Sequence, residues 1–399
     1  MVFVCASGPI DLRAQDTRAE VIAQQQAKKA RDGVAPDGPS FAERLIGRVW
    51  RGETRQRGGF VPLLGSVYGG GGFTLGAGYR RYPTRDTSLN LKGLYSVKNY
   101  KLIEVGIGSP GRSATRLPFR LRTGWREAFR LRAGWRDATQ VGYYGLGMDT
   151  SADDRANYRF QEAYAGVAAT YYPLSWIVLA GGTEFENYSL LAGQGSEPTI
   201  DTRYTSATAP GLGDSPSFLH SEGTAGIDWR TSPGYSRSGG YYAVTYHDYF
   251  DPDHTYSFSR LDADAVQHLP ILRETWVVSL RARTETTIGD DDVVPYFMLP
   301  YLGSGRTLRA YSFGRFRDRN SILTSAEWRW IPNRTGFDMA IFYDAGKVTS
   351  QPEDLNFDGL AHNWGVGARF HGPAATLLRI ELARGSDGWH TVFSGNAAF

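Results

Sequence analysis

The sequence predicts an all-β fold, a transmembrane antiparallel β-barrel of sixteen strands with a short N-terminal tail. Three observations lead to this prediction. Polar residues alternate with apolar ones along many short segments, the connections between those segments alternate in length, and the last segment ends on Phe399. The composition agrees, because 48 Gly, 23 Tyr, 20 Phe and 10 Trp in 399 residues are typical of barrels built from short strands.

Composition also excludes several classes of protein. A helical membrane protein needs a run of about 18 apolar residues, and the densest apolar stretch, 176–180, is far shorter. The mean hydropathy of −0.37 fits a barrel, because only alternate residues of its strands face lipid. A net charge of +3 does not indicate nucleic-acid binding, and the single Cys5 excludes a disulfide framework or a multi-cysteine metal site.

Residues 1–68 are predicted to form a tail outside the barrel, partly helical or disordered. Residues 14–31 are a polar candidate helix, and a Gly- and Pro-rich stretch at 33–39 ends it. Residues 1–6 resemble the end of a secretory signal peptide but are too short to be a complete one. We therefore expect the natural start to lie upstream.

Residues 69–399 are predicted to form the barrel domain, because their pattern repeats every second residue. In 376–384, three aliphatic residues share one face while Arg379 and Glu381 share the other, and 89–97 and 322–331 behave alike. A charged residue in mid-strand needs water, which a barrel lumen supplies. An immunoglobulin-like sandwich would instead place its charges outside a dry interior, and the pattern alone does not separate these two folds.

Connection lengths favour the barrel, because short turns at one rim and long loops at the other are typical of outer-membrane barrels. The short connections lie at 97–99, 173–175, 269–270, 332–335 and 372–373. The long connections lie at 110–118, 148–157, 190–217, 287–320 and 347–362. The sixteen predicted strands begin near residues 71, 87, 99, 118, 138, 157, 175, 218, 239, 254, 271, 320, 336, 362, 374 and 388.

An internal repeat lies early in this domain, where 119–128 is followed directly by 129–138 with eight of ten positions identical. The period is even, so both copies present the same residues to each face if they lie in one strand. Phe, Leu and Trp would then face lipid, while arginines such as Arg120 and Arg122 would face inward. We interpret the repeat as a local duplication that lengthens one hairpin; the alternative is a basic stripe for an anionic ligand.

The C-terminal segment is a clear strand candidate, because Trp389, Thr391, Phe393 and Gly395 lie on the same face as Phe399. The opposite face is mostly polar, which suits a strand between lipid and a wet interior. A free aromatic residue at the end of such a strand is what outer-membrane barrels present to the machinery that inserts them. Phe393, Gly395 and Phe399 are therefore predicted to form a C-terminal strand signal.

Three stretches, 303–311, 320–330 and 342–347, resemble the BamA/TamA family of outer-membrane assembly and translocation proteins, also called bacterial surface antigens. The resemblance extends over residues 60–399 and is strongest from residue 300 onward. In that family an Arg-Gly-aromatic triplet in the sixth extracellular loop folds back into the lumen. Acidic residues on the next two strands hold its arginine there.

Carried over to this sequence, the resemblance implies a loop-lock network. Arg309 matches the arginine of the triplet, Tyr311 the aromatic residue, and Glu327 and Asp344 the two acids. Gly303 and Gly305 are the corresponding loop glycines. Ala310 stands where the family has glycine, which would be strained if that position needed a positive φ or close contact with the wall.

The resemblance also implies a function, namely insertion or translocation of client outer-membrane or secreted proteins at the cell outer membrane. Glycines at 69–72, 76, 78 and 395 would weaken a lateral seam between the first and last strands. The periplasmic domains by which family members receive clients are not recognisable here, so a separate periplasmic partner is expected. Outer-membrane lipid is the expected surrounding, and nucleic acid is not an expected partner. The alternative is a passive outer-membrane pore or structural barrel without insertase activity.

We expect no catalytic residue, no cofactor and no metal, and hence no enzyme. Ser215 lies in a Gly- and Ser-rich loop without the strand–turn–helix context of a hydrolase. A cluster that includes His247, Asp251 and His254 could bind a divalent cation, but Asp-Pro-Asp between two strands is ordinary turn chemistry. We therefore prefer a surface turn, with the cation site as the alternative.

Overall fold

A computed structural model describes most of the predicted barrel domain. The described residues are 58–84, 87–110, 124–232, 234–272, 275–290, 293–332, 336–371, 376–395 and 398. Their strands are β1 (Gly59–Leu64), β2 (Thr74–Thr84), β3 (Thr87–Ser96), β4 (Lys101–Pro110), β5 (Gly124–Tyr143), β6 (Ala156–Tyr172), β7 (Ile177–Ala192), β8 (Ser217–Asp228), β9 (Gly239–Phe250), β10 (Phe258–Ile271), β11 (Trp276–Ile288), β12 (Tyr301–Leu302), β13 (Phe316–Arg317), β14 (Asn320–Trp330), β15 (Phe337–Thr349), β16 (Ala361–His371), β17 (Thr376–Gly385) and β18 (Gly388–Ser394).

Helical structure in this part of the chain is confined to short pieces. There is one α-helix, α1 (Ile200–Arg203), and two 3-10 turns at Ala152–Asp154 and Pro352–Asp354. Across the described ranges, no helix has the length and apolar character needed to cross a membrane.

The main sheet contains sixteen antiparallel strands in chain order from β1 to β18, with β11 paired to β14. The two remaining strands, β12 and β13, pair with each other inside the connection between β11 and β14. The predicted all-β class, the antiparallel arrangement and the number of strands are thus confirmed.

The two faces of the sheet differ as the alternation predicts. On β14, Trp328 and Trp330 are exposed, whereas Glu327 and Arg329 are buried. An indole of β11 extends this outer aromatic group, because the ring of Trp276 stacks on that of Trp328 with centroids 4.4 Å apart. Apolar and aromatic side chains therefore cover the outside of the sheet, and charged side chains meet inside it.

Two strand boundaries differ from the prediction. The first strand is β1, which lies within the segment 1–68 assigned to the tail; residues 1–57 lie outside the described residues. Pro62 hides this strand in the sequence, because proline is unusual in a strand unless that strand lies at an edge. The predicted separate strands near 118 and 138 are wrong, because β5 runs unbroken from Gly124 to Tyr143.

The described part of the repeat lies within β5. In its second copy Phe129, Leu131 and Trp135 are exposed on the outside. Arg132 and Arg136 lie on the other face, where they pair with carboxylates of β7 and β6. The first copy lies largely outside the described residues, so only the second copy shows the predicted division of faces.

The last strand, β18, places Phe393 on the outside with 63% of its surface exposed. Gly395 follows it near the end of β1, since a Cβ built on Gly395 would lie 3.8 Å from the carbonyl oxygen of Leu64. Phe399 lies outside the described residues, so the predicted C-terminal signal is only partly described.

Candidate functional site

The connection between β11 and β14, residues 289–319, contacts the inner face of the sheet at distant strands, and we call it the inner segment. Near its start, the ring of Tyr296 packs edge-on against Tyr143 of β5 with centroids 5.2 Å apart. Near its middle, the carbonyl of Gly305 accepts a hydrogen bond of 2.6 Å from Arg379 of β17. The inner segment therefore joins parts of the sheet that are far apart in strand order.

The predicted loop glycines occupy positions with no room for a side chain. Gly303 has a φ of +100°, and a Cβ built on it would lie 2.2 Å from the carbonyl oxygen of Ser312. A Cβ on Gly305 would lie 2.6 Å from a methyl group of Val392 on β18. Gly303 thus allows the inner segment to fold back on itself, and Gly305 allows it to approach the wall at β18.

Arg309 of the inner segment lies among three carboxylates. Its Nε and Nη2 donate to the two oxygens of Asp344, both at 2.9 Å. Its Nη1 donates to Glu327 and to Glu381, both at 3.0 Å. The guanidinium also stacks over the ring of Phe342, 3.6 Å from its centroid. Glu327 and Asp344 are the acids that the resemblance implied, and Glu381 is an additional one.

Further arginines complete this group, which we call the arginine–carboxylate network. Arg369 of β16 donates to both Glu327 and Glu381, and Arg379 of β17 donates to Glu381 at 2.9 Å. The side chains are buried, and such charges are stable away from water only when they are paired and hydrogen-bonded. The network therefore gives Glu327 and Glu381 more than one cationic partner each, while Asp344 pairs with Arg309 and accepts a hydrogen bond of 2.8 Å from the Asn363 amide.

The charge of Arg309 is strongly favoured in this position. Burial alone would lower the pKa of Arg309, but the negative charges of Asp344 and Glu381 outweigh that effect and hold its pKa above the ordinary value. Arg309 is 2% exposed. The inner segment is thus anchored by a permanent cation at a site that water barely reaches.

Tyr311 anchors the chain next to this arginine. Its hydroxyl donates to the carbonyl of His362 at 3.1 Å and lies 3.1 Å from Ser386 Oγ. Ala310, between Arg309 and Tyr311, does not have a positive φ. The strain that a positive φ would cause is therefore absent. Close contact with the wall does occur, because a Cβ on Gly385 would lie 3.0 Å from the Ala310 methyl group. Gly385 leaves the space that this methyl group needs.

The glycines at 69–72 serve packing as well as chain flexibility. A Cβ on Gly69 would lie 1.9 Å from the ring of Phe313 in the inner segment. A Cβ on Gly71 would lie 2.6 Å from the ring of Tyr100. These glycines therefore allow the chain before β2 to pack against aromatic rings. Only a weakening of the seam was expected of them.

Sequence reasoning missed Glu381 and Arg369 as members of the network. The alternation in 376–384 places Glu381 on the inner face, but it gives no distance to Arg309. That distance depends on register: Glu381 lies opposite Gly367 on β16, and Arg369 lies opposite Arg379. A single sequence contains no signal for this register.

The two weaker candidates have ordinary surroundings. Ser215 Oγ accepts a hydrogen bond from the Leu190 amide at 3.1 Å, as a loop serine does. The carboxylate of Asp251 accepts backbone N–H bonds from Asp253, Thr255 and Tyr256. This pattern is that of a turn rather than of a cation site formed by the turn.

Comparison with known proteins identifies relatives of this barrel. The family profile of the Omp85 superfamily domain matches residues 85–387. BamA from Haemophilus ducreyi lacking POTRA domains 1–3 is similar in structure, with a TM-score of 0.57, 12% identity, and coverage of 85% of this chain and 70% of that one. CdiB from Escherichia coli is similar with a TM-score of 0.51, 12% identity, and coverage of 84% of this chain and 58% of that one. No curated protein sequence matches the chain.

Proposed function

The chain belongs to the Omp85 superfamily, whose profile spans residues 85–387, and from this premise we propose that it assists the insertion or translocation of client proteins. It is a β-barrel of the outer membrane. The observation that carries the proposal is the anchoring of Arg309 to three carboxylates on β14, β15 and β17. This anchoring holds the inner segment against the wall, so that the segment plugs the lumen while the wall opens elsewhere.

The opening is proposed to lie between the first and last strands. Two observations support this location. β1 has six residues and β18 has seven, which makes them the shortest strands of the main sheet, and their pairing can involve few hydrogen bonds. Pro62 of β1 also lacks the amide hydrogen that a ladder requires. A strand edge freed at this seam would pair with an incoming strand by β-augmentation.

The clients are proposed to be outer-membrane or secreted proteins, because an exposed strand edge selects extended chains. A separate periplasmic partner would deliver them. The proposed role requires only strand pairing and movement of the seam, so neither catalysis nor a cofactor is part of it.

Photo-crosslinking tests the seam directly. A photoreactive phenylalanine analogue would replace Phe60 of β1 or Phe393 of β18, which are 82% and 63% exposed. We expect both positions to form adducts with client chains during their assembly in cells. The matched control is Leu280 of β11, which is also exposed on the outside but is far from the seam in strand order. The proposal would be contradicted if Phe60 and Phe393 never formed client adducts. It would also be contradicted if Leu280 formed them equally often.

A passive pore is the second candidate, and one observation favours it. A cavity of about 600 Å³ lies beside the inner segment, and its lining includes Arg260, Arg281, Arg283 and Arg306. Asp262, Asp264 and Glu285 also line the cavity and pair with Arg260, Arg281 and Arg283, so the cavity is polar with a small excess of positive charge, which would favour anions. In this alternative the inner segment shapes a channel and the seam stays closed.

A further inference from the structure

Two histidines meet on the inner face of β8 and β9, in a part of the wall that the proposed function does not use. His220 Nε2 lies 3.0 Å from His247 Nδ1. Glu222 Oε2 lies 3.6 Å from the same His247 nitrogen. In register, Glu222 is directly opposite His247, and His220 is opposite Tyr249. The antiparallel pairing therefore brings two imidazoles and a carboxylate to one point.

Each histidine has a second carboxylate on its far side. His220 Nδ1 lies 2.9 Å from Glu186 Oε1 on β7. His247 Nε2 lies 3.6 Å from Asp262 Oδ2 on β10. Metal-binding histidines typically donate their outer N–H to a carboxylate, which fixes the tautomer of the ring. The contact between His220 and Glu186 is of this kind, and Asp262 would have to move slightly closer to do the same for His247.

The hydrogen bonds settle the orientation of one ring. An ionised carboxylate only accepts hydrogen bonds, so Glu186 favours a proton on Nδ1 of His220, and Nε2 of His220 then presents a lone pair to His247 Nδ1 at 3.0 Å. Asp262 and Glu222 each lie 3.6 Å from a different nitrogen of His247, beyond hydrogen-bond distance. With its proton on Nδ1, His247 donates a hydrogen bond to His220. With its proton on Nε2, it turns a second lone pair towards the same point, where a metal ion would accept both.

The spacing fits a metal ion. Zinc binds imidazole nitrogen at about 2.0–2.1 Å, so tetrahedral geometry places two ligand nitrogens roughly 3.3 Å apart. The donor atoms of His220, His247 and Glu222 lie within 4.8 Å of one another. Small rotations of the three side chains would suffice to surround an ion. Two histidines and a glutamate leave the fourth position open to water.

A nearby acidic group does not have this character. Glu162, Glu184 and Glu186 also approach one another. Glu162 pairs with Arg136, however, and Glu184 accepts two hydrogen bonds from Arg132. These arginines already neutralise two of the three acids, whereas His220 and His247 offer imidazole nitrogens as ligands.

We propose that His220, His247 and Glu222 form a binding site for a divalent transition-metal ion, with Zn²⁺ as the best match. Glu186 and Asp262 orient the two imidazoles. The bound ion would connect β8 to β9 and, through the two orienting carboxylates, also β7 and β10. This inference is independent of client insertion.

Metal titration of the full chain tests the site. The protein would be folded in detergent without a polyhistidine tag, stripped with a chelator and titrated with Zn²⁺ in a calorimeter. Titration with Co²⁺ would report coordination through its visible ligand-field absorption. We expect stoichiometric Zn²⁺ binding and a tetrahedral Co²⁺ spectrum. Binding should weaken at least tenfold in His220→Asn and in His247→Asn.

Two further variants keep the test decisive. His254→Asn is the matched control, because His254 lies in the turn after β9 and its φ of +57° suits asparagine. It should bind Zn²⁺ as the unmodified protein does. Glu222→Gln replaces a side chain that is 44% exposed, so it should fold normally, bind more weakly and change the Co²⁺ spectrum. The proposal is overturned if the unmodified chain binds no Zn²⁺, or if Glu222→Gln and the histidine variants that fold all bind it unchanged.

Discussion

Arg309 shows why a guanidinium, and not an ammonium, suits the centre of this barrel. Its planar fork donates two parallel hydrogen bonds to Asp344 while the remaining nitrogen reaches Glu327 and Glu381. A lysine has a single charged nitrogen and cannot match this bidentate geometry. The ring of Phe342 stacks on the flat face of the guanidinium. The compact ammonium group of a lysine would make a weaker contact with that ring.

We expect Arg309→Ala to lower the free energy of unfolding by about 3–5 kcal/mol, because it leaves buried carboxylates without their shared cation. Arg309→Lys should have an intermediate effect, since it keeps the charge and loses the fork. Urea unfolding of the barrel in detergent, followed by tryptophan fluorescence, measures both.

The matched control is Arg306→Ala, which removes an exposed arginine from the same segment. Its effect should stay within about 0.5 kcal/mol. Equal losses for Arg306→Ala and Arg309→Ala would show that the three carboxylates have no special importance for stability.

Among individual residues, the sequence predicted part of the arginine–carboxylate network and missed its other members. Arg309, Glu327 and Asp344 were implied by the resemblance to the BamA/TamA family, and Arg309 contacts both acids in the structure. Glu381 and Arg369 are separated from these residues along the chain, and only strand register brings them close. The fit of Ala310 to Gly385 is equally invisible, because it depends on two backbones that approach closely.

Among the strands, the repeat in β5 explains one correct prediction, the division of faces, and one wrong prediction, the separate strands near 118 and 138. Its even period preserves the alternation of faces, so the second copy has the predicted exposure. The same property lets one strand continue through the repeat without a break, and β5 consequently reaches 20 residues. Counting β5 as two strands offset the omission of β1. The predicted number was therefore correct, although β2, β3 and β4 each stand one place later in the strand order than predicted.

Deletions in β5 should depend on whether their length is even or odd. Removing residues 129–138 lets the first copy take the place of the second with every face preserved. We expect this variant to fold at a cost of about 1 kcal/mol. Removing residues 129–137 instead turns the arginines of the first copy outward, and we expect it not to assemble. Heat-modifiable mobility in electrophoresis distinguishes folded from unfolded barrel.

The odd deletion is the more informative of the two, because it removes fewer residues than the even one. If it folded as well as the even deletion, the division of faces in β5 would not control assembly. Failure of both would indicate that the length of β5, and not its alternation, is essential.

At the scale of the whole sheet, the described strands differ widely in length and the inner segment lies against their inner face. β5 and β6 have 20 and 17 residues, whereas β1 and β18 have six and seven. The inner segment contacts the inner face of the sheet at strands from β5 to β18. Antiparallel order was predictable because alternation and turn spacing are local, whereas the strand number was correct because two errors cancelled. The path of the inner segment was not predictable, since its contacts are long-range.

Ion conductance separates the plugged barrel from a passive pore. We expect the unmodified protein in a planar bilayer to pass small, fluctuating currents. Replacing residues 303–315 with a short glycine linker should raise the current several-fold, because it removes the part of the inner segment that Arg309 anchors. Arg309→Ala should produce brief openings, and Arg306→Ala should not. A large, steady current that does not depend on the inner segment would favour the passive pore.

The stacked tryptophans on the outside of β11 and β14 supply an optical reporter that requires no label. Indoles only 4.4 Å apart exchange excitation energy, and that exchange depolarises their emitted light. The chain has ten tryptophans, and Trp330 also stacks on Trp276, so the other eight would be replaced by phenylalanine. Because Trp276 and Trp328 belong to the strands on either side of the inner segment, the anisotropy of the remaining pair would rise as soon as those two strands separated. Time-resolved anisotropy during refolding would thus show when β11 and β14 pair and enclose the inner segment.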